Sequence, residues 1–541
     1  MSMIATSPIA GQEPGTSGLR KKTRVFMESP FLQNYVQAIF NGIGGIEEKT
    51  LVLGGDGRYF NSEAIQIIIK MASANGATRI IVGQNGLLST PAASHLIRLY
   101  ETDGGLILSA SHNPGGIDAD FGLKYNMPNG GPAVEAVTQK IVEATKKIAH
   151  YRITDAADLD LSQVGKFALD SMIVEVVSPT ADYINLMSQL FDFELISELL
   201  RSDFRMVFDA MHAITGPYAQ AILEDQLGAP AGTVINATPS PDFNKGHPDP
   251  NPVWAKELMD VMMDSNAPDF GAASDGDGDR NMIVGPGMFI SPSDSLALLA
   301  AHAELAPAFQ DGLVGVARSM PTSGAVDRVA AAKGLKCFET PTGWKFFGNL
   351  LDAGEVRLCG EESAGTGGDH VREKDGLWAV LLWLNIIAKT ESSVSQLMKN
   401  HWQTYGRNFY TRHDYEAVPK ETADRIFDGL RGKLSVLPGQ RFSGLRVLSA
   451  DEFAYDDPID QSRSTGQGIR VILEGDARVV FRLSGTGTDG ATIRVYLERL
   501  EMDESKQSQD PQQALSVVIL AAEDLAEIKA KTARKAPDVI T

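Results

Sequence analysis

Asp275-Gly-Asp-Gly-Asp-Arg280 places a carboxylate at every second position, with glycine between. In an extended segment alternate side chains point the same way, so Asp275, Asp277 and Asp279 converge on one face. Three carboxylates without bulky neighbours make a hard oxygen cage suited to a divalent cation such as Mg2+. An EF-hand does not fit: its sixth position would be Arg280 instead of glycine, and its twelfth Pro286 instead of glutamate. A plain acidic turn would have to crowd three like charges directly after an apolar strand, so metal binding is the favoured reading.

A second reactive stretch is Ser109-Ala-Ser-His-Asn-Pro-Gly-Gly116. The apolar run before it stops at small and polar residues, and Pro114, Gly115 and Gly116 prevent a helix or strand from continuing. The pattern is a strand ending in a tight, exposed loop with Ser111, a candidate for covalent chemistry, at its tip. Ser111 and His112 do not read as a protease-type pair, because neighbours in an extended loop project apart and no Gly-x-Ser-x-Gly elbow is present. His112 can still serve a substrate hydroxyl, since its pKa lies near neutrality; an inert structural histidine is the commoner case.

Arg482-Leu-Ser-Gly-Thr-Gly-Thr-Asp-Gly-Ala-Thr-Ile-Arg494 reads as strand, Gly/Ser/Thr loop, strand. Exposed backbone N–H groups, hydroxyls and the two arginines make a phosphate cradle. No Gly-Lys-Ser/Thr follows and a strand comes next, so it is not a P-loop. Gly360-Glu-Glu-Ser-Ala-Gly365 offers carboxylates and a hydroxyl of the kind that grip sugar hydroxyls, although a helix cap or polar turn explains it equally well. Lys374, in Arg372-Glu-Lys-Asp-Gly376, can bind phosphate or act as an acid/base; a solvated charge run is its default. In Gly15-Thr-Ser-Gly-Leu-Arg-Lys-Lys22, Arg20 and backbone donors can hold a phosphate, with a solvated basic loop as the blander alternative.

The elements that position these loops alternate. Leu51 to Leu53, Thr78 to Val82 and Leu106 to Leu108 read as buried strands, with helices over Phe31 to Asn41 and Asn61 to Ala74; this βαβ rhythm predicts mainly parallel sheets. It recurs at Arg205, Phe270, Lys336 and Val356, each a strand running into a polar loop. Ligands bind beyond the carboxyl ends of such strands, so the loops are expected to share one cleft. The last part differs: strands over Gly468–Glu474, Ala477–Leu483 and Thr492–Leu500, a solvated Glu501–Gln513 loop and a helix over 514–532. It reads as a separate α+β domain. Residues 1 to 18 read as a flexible start.

With 541 residues the chain exceeds one core. Its formal net charge of −20 argues against a nucleic-acid or anionic-membrane surface. The two cysteines, Cys337 and Cys359, read as buried reduced thiols and fit a cytoplasmic location. No apolar run approaches the roughly 18 residues of a membrane span.

Together the stretches resemble the α-D-phosphohexomutase superfamily, in its phosphoglucomutase branch. Four signature loops occur in the family's order: 109–116, 275–280, 360–363 and 482–488. The resemblance implies three similar α/β domains with mixed, mainly parallel sheets and a smaller C-terminal α+β domain around a central cleft. The boundaries expected are 1–186, 187–291, 292–406 and 407–541. It implies that Ser111 is the serine phosphorylated in the active enzyme and completes a Mg2+ site with Asp275, Asp277 and Asp279. Glu361 and Ser363 match the residues that grip sugar hydroxyls. Arg482, Ser484, Gly485, Thr486 and Thr488, with Arg494, match the loop that binds the non-reacting phosphate. Arg20, His112, Lys124, Arg280, Thr342, Gly343 and Lys374 match active-site positions, with His112 and Lys374 the acid/base candidates. The implied reaction interconverts glucose 1-phosphate and glucose 6-phosphate through glucose 1,6-bisphosphate, by a monomer or dimer with no nucleic-acid or membrane partner. The rivals are a mutase for another hexose phosphate, a Mg2+-dependent phosphatase and a non-enzymatic relative. Departures from the branch are Ser109 for threonine, Ala364 for an aromatic, and Thr488-Asp489 for a smaller pair.

Overall fold

The computed structural model describes residues 2–15, 17–484 and 490–541. Four large sheets organise it, three of them mixed and the last antiparallel. In the first, Gly105–Leu108, Thr50–Gly55, Arg79–Leu87 and Met172–Val177 run parallel side by side. Leu19–Lys22, Asp120–Asn126 and Gly165–Leu169 complete it through antiparallel pairings. The central strands are apolar on both faces because helices cover both. Leu51, Leu53 and Ile80 pack with the helices Phe31–Gly42 and Asn61–Ala74, whereas Val52, Ile81 and Ile107 face the helix Thr90–Leu99.

The second sheet sets Val234–Ile235, Met206–Asp209 and Phe270–Ser274 parallel, then returns antiparallel through Asn281–Gly285 and Met288–Ile290. The third sets Lys336–Thr340, Gly315–Ser319 and Leu358–Gly360 parallel and closes with antiparallel Thr366–Gly368. One joint therefore recurs three times. Where the last parallel strand gives way to an antiparallel neighbour, the connecting loop carries Ser111 in the first sheet, the three aspartates in the second and Glu361 to Ser363 in the third. The fourth sheet is built from antiparallel strands including Arg407–Val418, Ala477–Ser484 and Ala491–Glu501, and the last two of these carry Arg482 and Arg494.

The structure departs from the sequence reading at several points. Ser2–Ala5 is a strand paired with His150–Ile153, and Gln12 is buried with Nε2 donating to the Phe31 carbonyl at 2.7 Å, so the start is tied down. Leu19–Lys22 is an edge strand. Within 501–513, Gln507 is buried and its Nε2 donates to the carbonyls of Trp402 and Glu501. The helix expected over 514–532 breaks at Glu527, whose φ of +55° separates Ser516–Ala526 from Ile528–Thr532. Cys359 is buried, but Cys337 is exposed near a sheet edge.

Candidate active site

Three consecutive parallel strands of the first sheet each deliver a polar group at their carboxyl ends. Thr50–Gly55 leads to Asp56 and Arg58, Arg79–Leu87 to Thr90, and Gly105–Leu108 to Ser111. Asp56 and Arg58 form an ion pair at 2.9 Å with both side chains fully buried. Ser109 Oγ donates to Asp56 Oδ2 at 2.7 Å and accepts from the Ser111 N–H at 2.7 Å. Arg58 Nη2 donates to the Ser111 carbonyl at 2.8 Å and Nη1 to that of Asp120 at 2.8 Å. The loop is thus built onto a buried ion pair that sequence reading passed over.

Ser111 is not exposed: only 3% of it reaches solvent. The metal-loop backbone covers it, so closely that a Cβ on Gly276 would come within 2.4 Å of the Ser111 carbonyl oxygen. Ser111 adopts a φ of +53°, a conformation that non-glycine residues keep mainly where surrounding structure enforces it, often at functional sites. That turn brings His112 Nδ1 to 3.4 Å from Ser111 Oγ, so the two side chains lie side by side instead of projecting apart. Burial, reinforced by Arg280, Arg20, His247 and Lys374, holds the His112 pKa well below the ordinary value. Burial therefore favours the neutral imidazole of His112.

Ser111 Oγ donates to Asp275 Oδ2 at 3.0 Å. Asp275 Oδ1 accepts from the N–H groups of Asp279 and Arg280 at 2.9 and 3.1 Å. The three aspartates are buried, with one ligand oxygen from each lying within 4.8 Å of the others. Burial, with Asp279 and Asp277 nearby, pushes the Asp275 pKa well up. For Asp277 burial acts the same way but is outweighed by Lys124, the Thr90 hydroxyl, Lys374 and Arg20, which hold it below the usual value. Oδ1 of Asp277 and Oδ1 of Asp279 are buried with no hydrogen-bond partner among the described residues. Buried oxygens left unpaired are costly, and convergent carboxylate oxygens suit a hard divalent cation; the residues fit Mg2+.

Cations surround this cage. Lys374 Nζ lies 3.1 Å from Asp279 Oδ2; burial would lower its pKa, but Asp279, Glu361 and Asp277 outweigh that and hold it above the ordinary value. Arg372, Glu373 and Asp375 beside it are buried, which overturns the solvated-run default. Lys124 Nζ pairs with Glu373 Oε1 at 2.9 Å, and Asn126 Nδ2 donates to the same oxygen at 2.8 Å. Arg20 pairs in register with Gly122, and its buried Nε has no hydrogen-bond partner among the described residues. Arg280 lies near Asp249 and Asp275, at 3.5 and 3.8 Å.

Arg280 also bridges antiparallel to Gly365, joining the metal loop to the sugar-type loop. There Glu361 Oε1 accepts from the Gly343 N–H at 2.9 Å, and the buried Thr342 Oγ1 finds no partner among the described residues. Glu362 accepts from Arg412 Nη1 at 3.1 Å, which links this loop to the last sheet. In that sheet Arg482 and Arg494 stand directly opposite each other, as do Ser484 and Thr492. Like charges facing across a strand pair repel, so the register makes sense with an anion between them. Arg482 Nη1 donates to the Tyr496 hydroxyl at 3.3 Å, and Arg494 Nε lies 3.7 Å from Asp414. Gly485, Thr486 and Thr488 lie outside the described residues. A cavity of about 700 Å3 opens onto His112, Arg280, Ser363 and Arg494. The first three signature loops thus meet at one place, and Arg494 of the last sheet lines the same cavity.

Residues 11–152, 181–287 and 292–405 match the family models described as phosphoglucomutase/phosphomannomutase alpha/beta/alpha domains I, II and III, and 407–538 matches the phosphoglucomutase-1 C-terminal domain. The chain belongs to the α-D-phosphohexomutase superfamily, in its phosphoglucomutase branch. A phosphoglucomutase from Rhizobium radiobacter is 57% identical over 538 residues, 99% of each chain. A probable cytoplasmic phosphoglucomutase from Arabidopsis thaliana is 50% identical, covering 100% of this chain and 99% of the relative. The crystal structure of pp63/parafusin, a phosphoglucomutase from Paramecium in an open form, superposes with a TM-score of 0.92 at 45% identity, covering 100% of this chain and 99% of that one.

Proposed function

We propose that the chain is a phosphoglucomutase, interconverting glucose 1-phosphate and glucose 6-phosphate through phosphorylated Ser111 and glucose 1,6-bisphosphate. The observation that supports this most is the Ser111 hydroxyl, 3.0 Å from Asp275, in a buried acidic triad that keeps two oxygens unpaired. In the first half-reaction the Ser111 Oγ–P bond breaks and a bond forms from phosphorus to the free sugar hydroxyl, whose proton passes through neutral His112 to the Ser111 oxygen left behind, 3.4 Å away. The bisphosphate turns over in the cleft. In the return step the bond from phosphorus to the other sugar oxygen breaks, the phosphoryl bonds to Ser111 Oγ, and the Ser111 hydroxyl proton passes through His112 to that sugar oxygen. Arg20, Lys124 and Lys374 counter the charge of the moving phosphoryl. Asp275, Asp277, Asp279 and the Ser111 oxygen would hold Mg2+, which when bound polarises the transferring group.

Arg280 orients the sugar phosphate between the two ends of the cavity. Thr342, Gly343, Glu361 and Ser363 grip the sugar hydroxyls. Arg482, Ser484, Gly485, Thr486, Thr488 and Arg494 bind whichever phosphate is stationary. We place the domains at 1–186, 187–291, 292–406 and 407–541, and the protein in the cytoplasm as a monomer or dimer. No helix among the described residues is long and apolar enough to cross a membrane. A coupled assay of glucose 1-phosphate conversion, with and without Mg2+ and glucose 1,6-bisphosphate, tests the activity. Equal or faster rates on mannose or N-acetylglucosamine phosphates would replace the sugar, and release of free phosphate would replace the reaction.

A further inference from the structure

Each aspartate of the triad is braced by a different part of the molecule. Asp275 is held by N–H groups of its own loop, and Asp279 by Lys374 from beyond the third sheet. Asp277 is held from the first sheet. Thr90 Oγ1 donates to Asp277 Oδ2 at 2.6 Å, and the Thr90 N–H donates to the Asp277 carbonyl at 2.9 Å.

Thr90 is fully buried and begins the ten-residue helix Thr90–Leu99, which Ser89 caps by accepting from the Ala92 N–H. Tyr218 receives the Ser89 N–H at 3.2 Å, and a Cβ on Gly278 would sit 3.3 Å from the Ser89 Cβ. Helix start and metal loop are therefore seated against each other with little play. The hydroxyl occupies one Asp277 oxygen, and the other, Oδ1, has no partner among the described residues.

We propose that Thr90 is a positioning residue for the divalent cation. By engaging Oδ2 it fixes the Asp277 carboxylate so that Oδ1 faces the cage, and it sets the metal loop in register with the sheet that carries Ser111. The inference rests on the metal-site reading above. Groups that orient ligands from outside the coordination sphere commonly shift metal affinity about 10–100-fold when removed. Thr90→Val keeps the shape and deletes the donor; Thr90→Ser keeps the donor.

The test is Mn2+ binding to the full chain without substrate, followed by electron paramagnetic resonance, alongside the thermal unfolding midpoint of the metal-free protein. The expected result is a Kd raised about tenfold or more in Thr90→Val and restored to near the wild-type value in Thr90→Ser. Thr90→Ala deletes the same hydroxyl and stands in should the valine variant fail to fold. Wild-type affinity in Thr90→Val or its stand-in, or equal weakening in Thr90→Ser, would overturn the role of Thr90 while leaving the site intact. A wild-type chain that binds no Mn2+ would overturn the metal-site reading itself.

Discussion

The two ends of the cavity balance charge differently. Around Ser111 both signs are present and nearly every group is braced: the buried Asp56–Arg58 pair carries the loop, and Lys374 and Thr90 hold two of the aspartates. Among the described residues, the buried atoms left there without hydrogen-bond partners include oxygens of Asp277 and Asp279 and the Nε of Arg20 and Arg280. At the hairpin end Arg482 and Arg494 face each other and the surplus is cationic. On the function proposed above, the first end would take a metal ion together with a phosphoryl group. The second would take a dianion alone, as a site that accepts either phosphate of a turning substrate requires.

Four substitutions test that contrast. Ser111→Ala should have the largest effect, taking turnover to the detection limit while substrate binding persists; substantial turnover with bisphosphate supplied would remove Ser111 as the carrier. Asp277→Asn is expected to raise the Mg2+ concentration for half-maximal activity by at least about 100-fold and to lower the rate with it. An unchanged metal titration would strike Asp277 from the ligand set. Arg58→Met leaves the Asp56 carboxylate buried and unpaired, a loss of about 3–5 kcal/mol that should appear as faster hydrogen exchange in Gly105–Leu108. Exchange at the wild-type rate would show that the loop stands without the pair. Arg494→Ala should act at the other end only. A charge-assisted hydrogen bond is worth about 1.5–3 kcal/mol, so KM should rise roughly 10–150-fold while Mg2+ dependence stays as it was. A shifted metal titration in this variant would mean that the two ends are not separate.

Much of this was legible in the chain. Alternating carboxylates and glycines point to the acidic loop, although its aspartates converge through a turn with a φ of +82° at Gly278 and not through the extended alternation expected, and an apolar run broken by Pro114, Gly115 and Gly116 announces a loop at Ser111. What escaped was long-range or conformational. Glu373 looked like part of a solvated charge run, yet its partner Lys124 lies 249 residues earlier. Asp56, Arg58 and Thr90 carry no motif, and their roles exist only once three strands lie side by side. The approach of His112 to Ser111 depends on one positive φ, and the burial of Ser111 on a loop from another sheet; neither is encoded in spacing.

The opposed arginines have a thermodynamic consequence. Asp414 beside Arg494 and the Tyr496 hydroxyl beside Arg482 offset part of the repulsion between the two arginines. On the proposed reading of this sheet end as the stationary-phosphate site, substrate and inorganic phosphate alike would bind the folded sheet and not the unfolded chain, and the unfolding temperature of the C-terminal sheet would rise with their concentration.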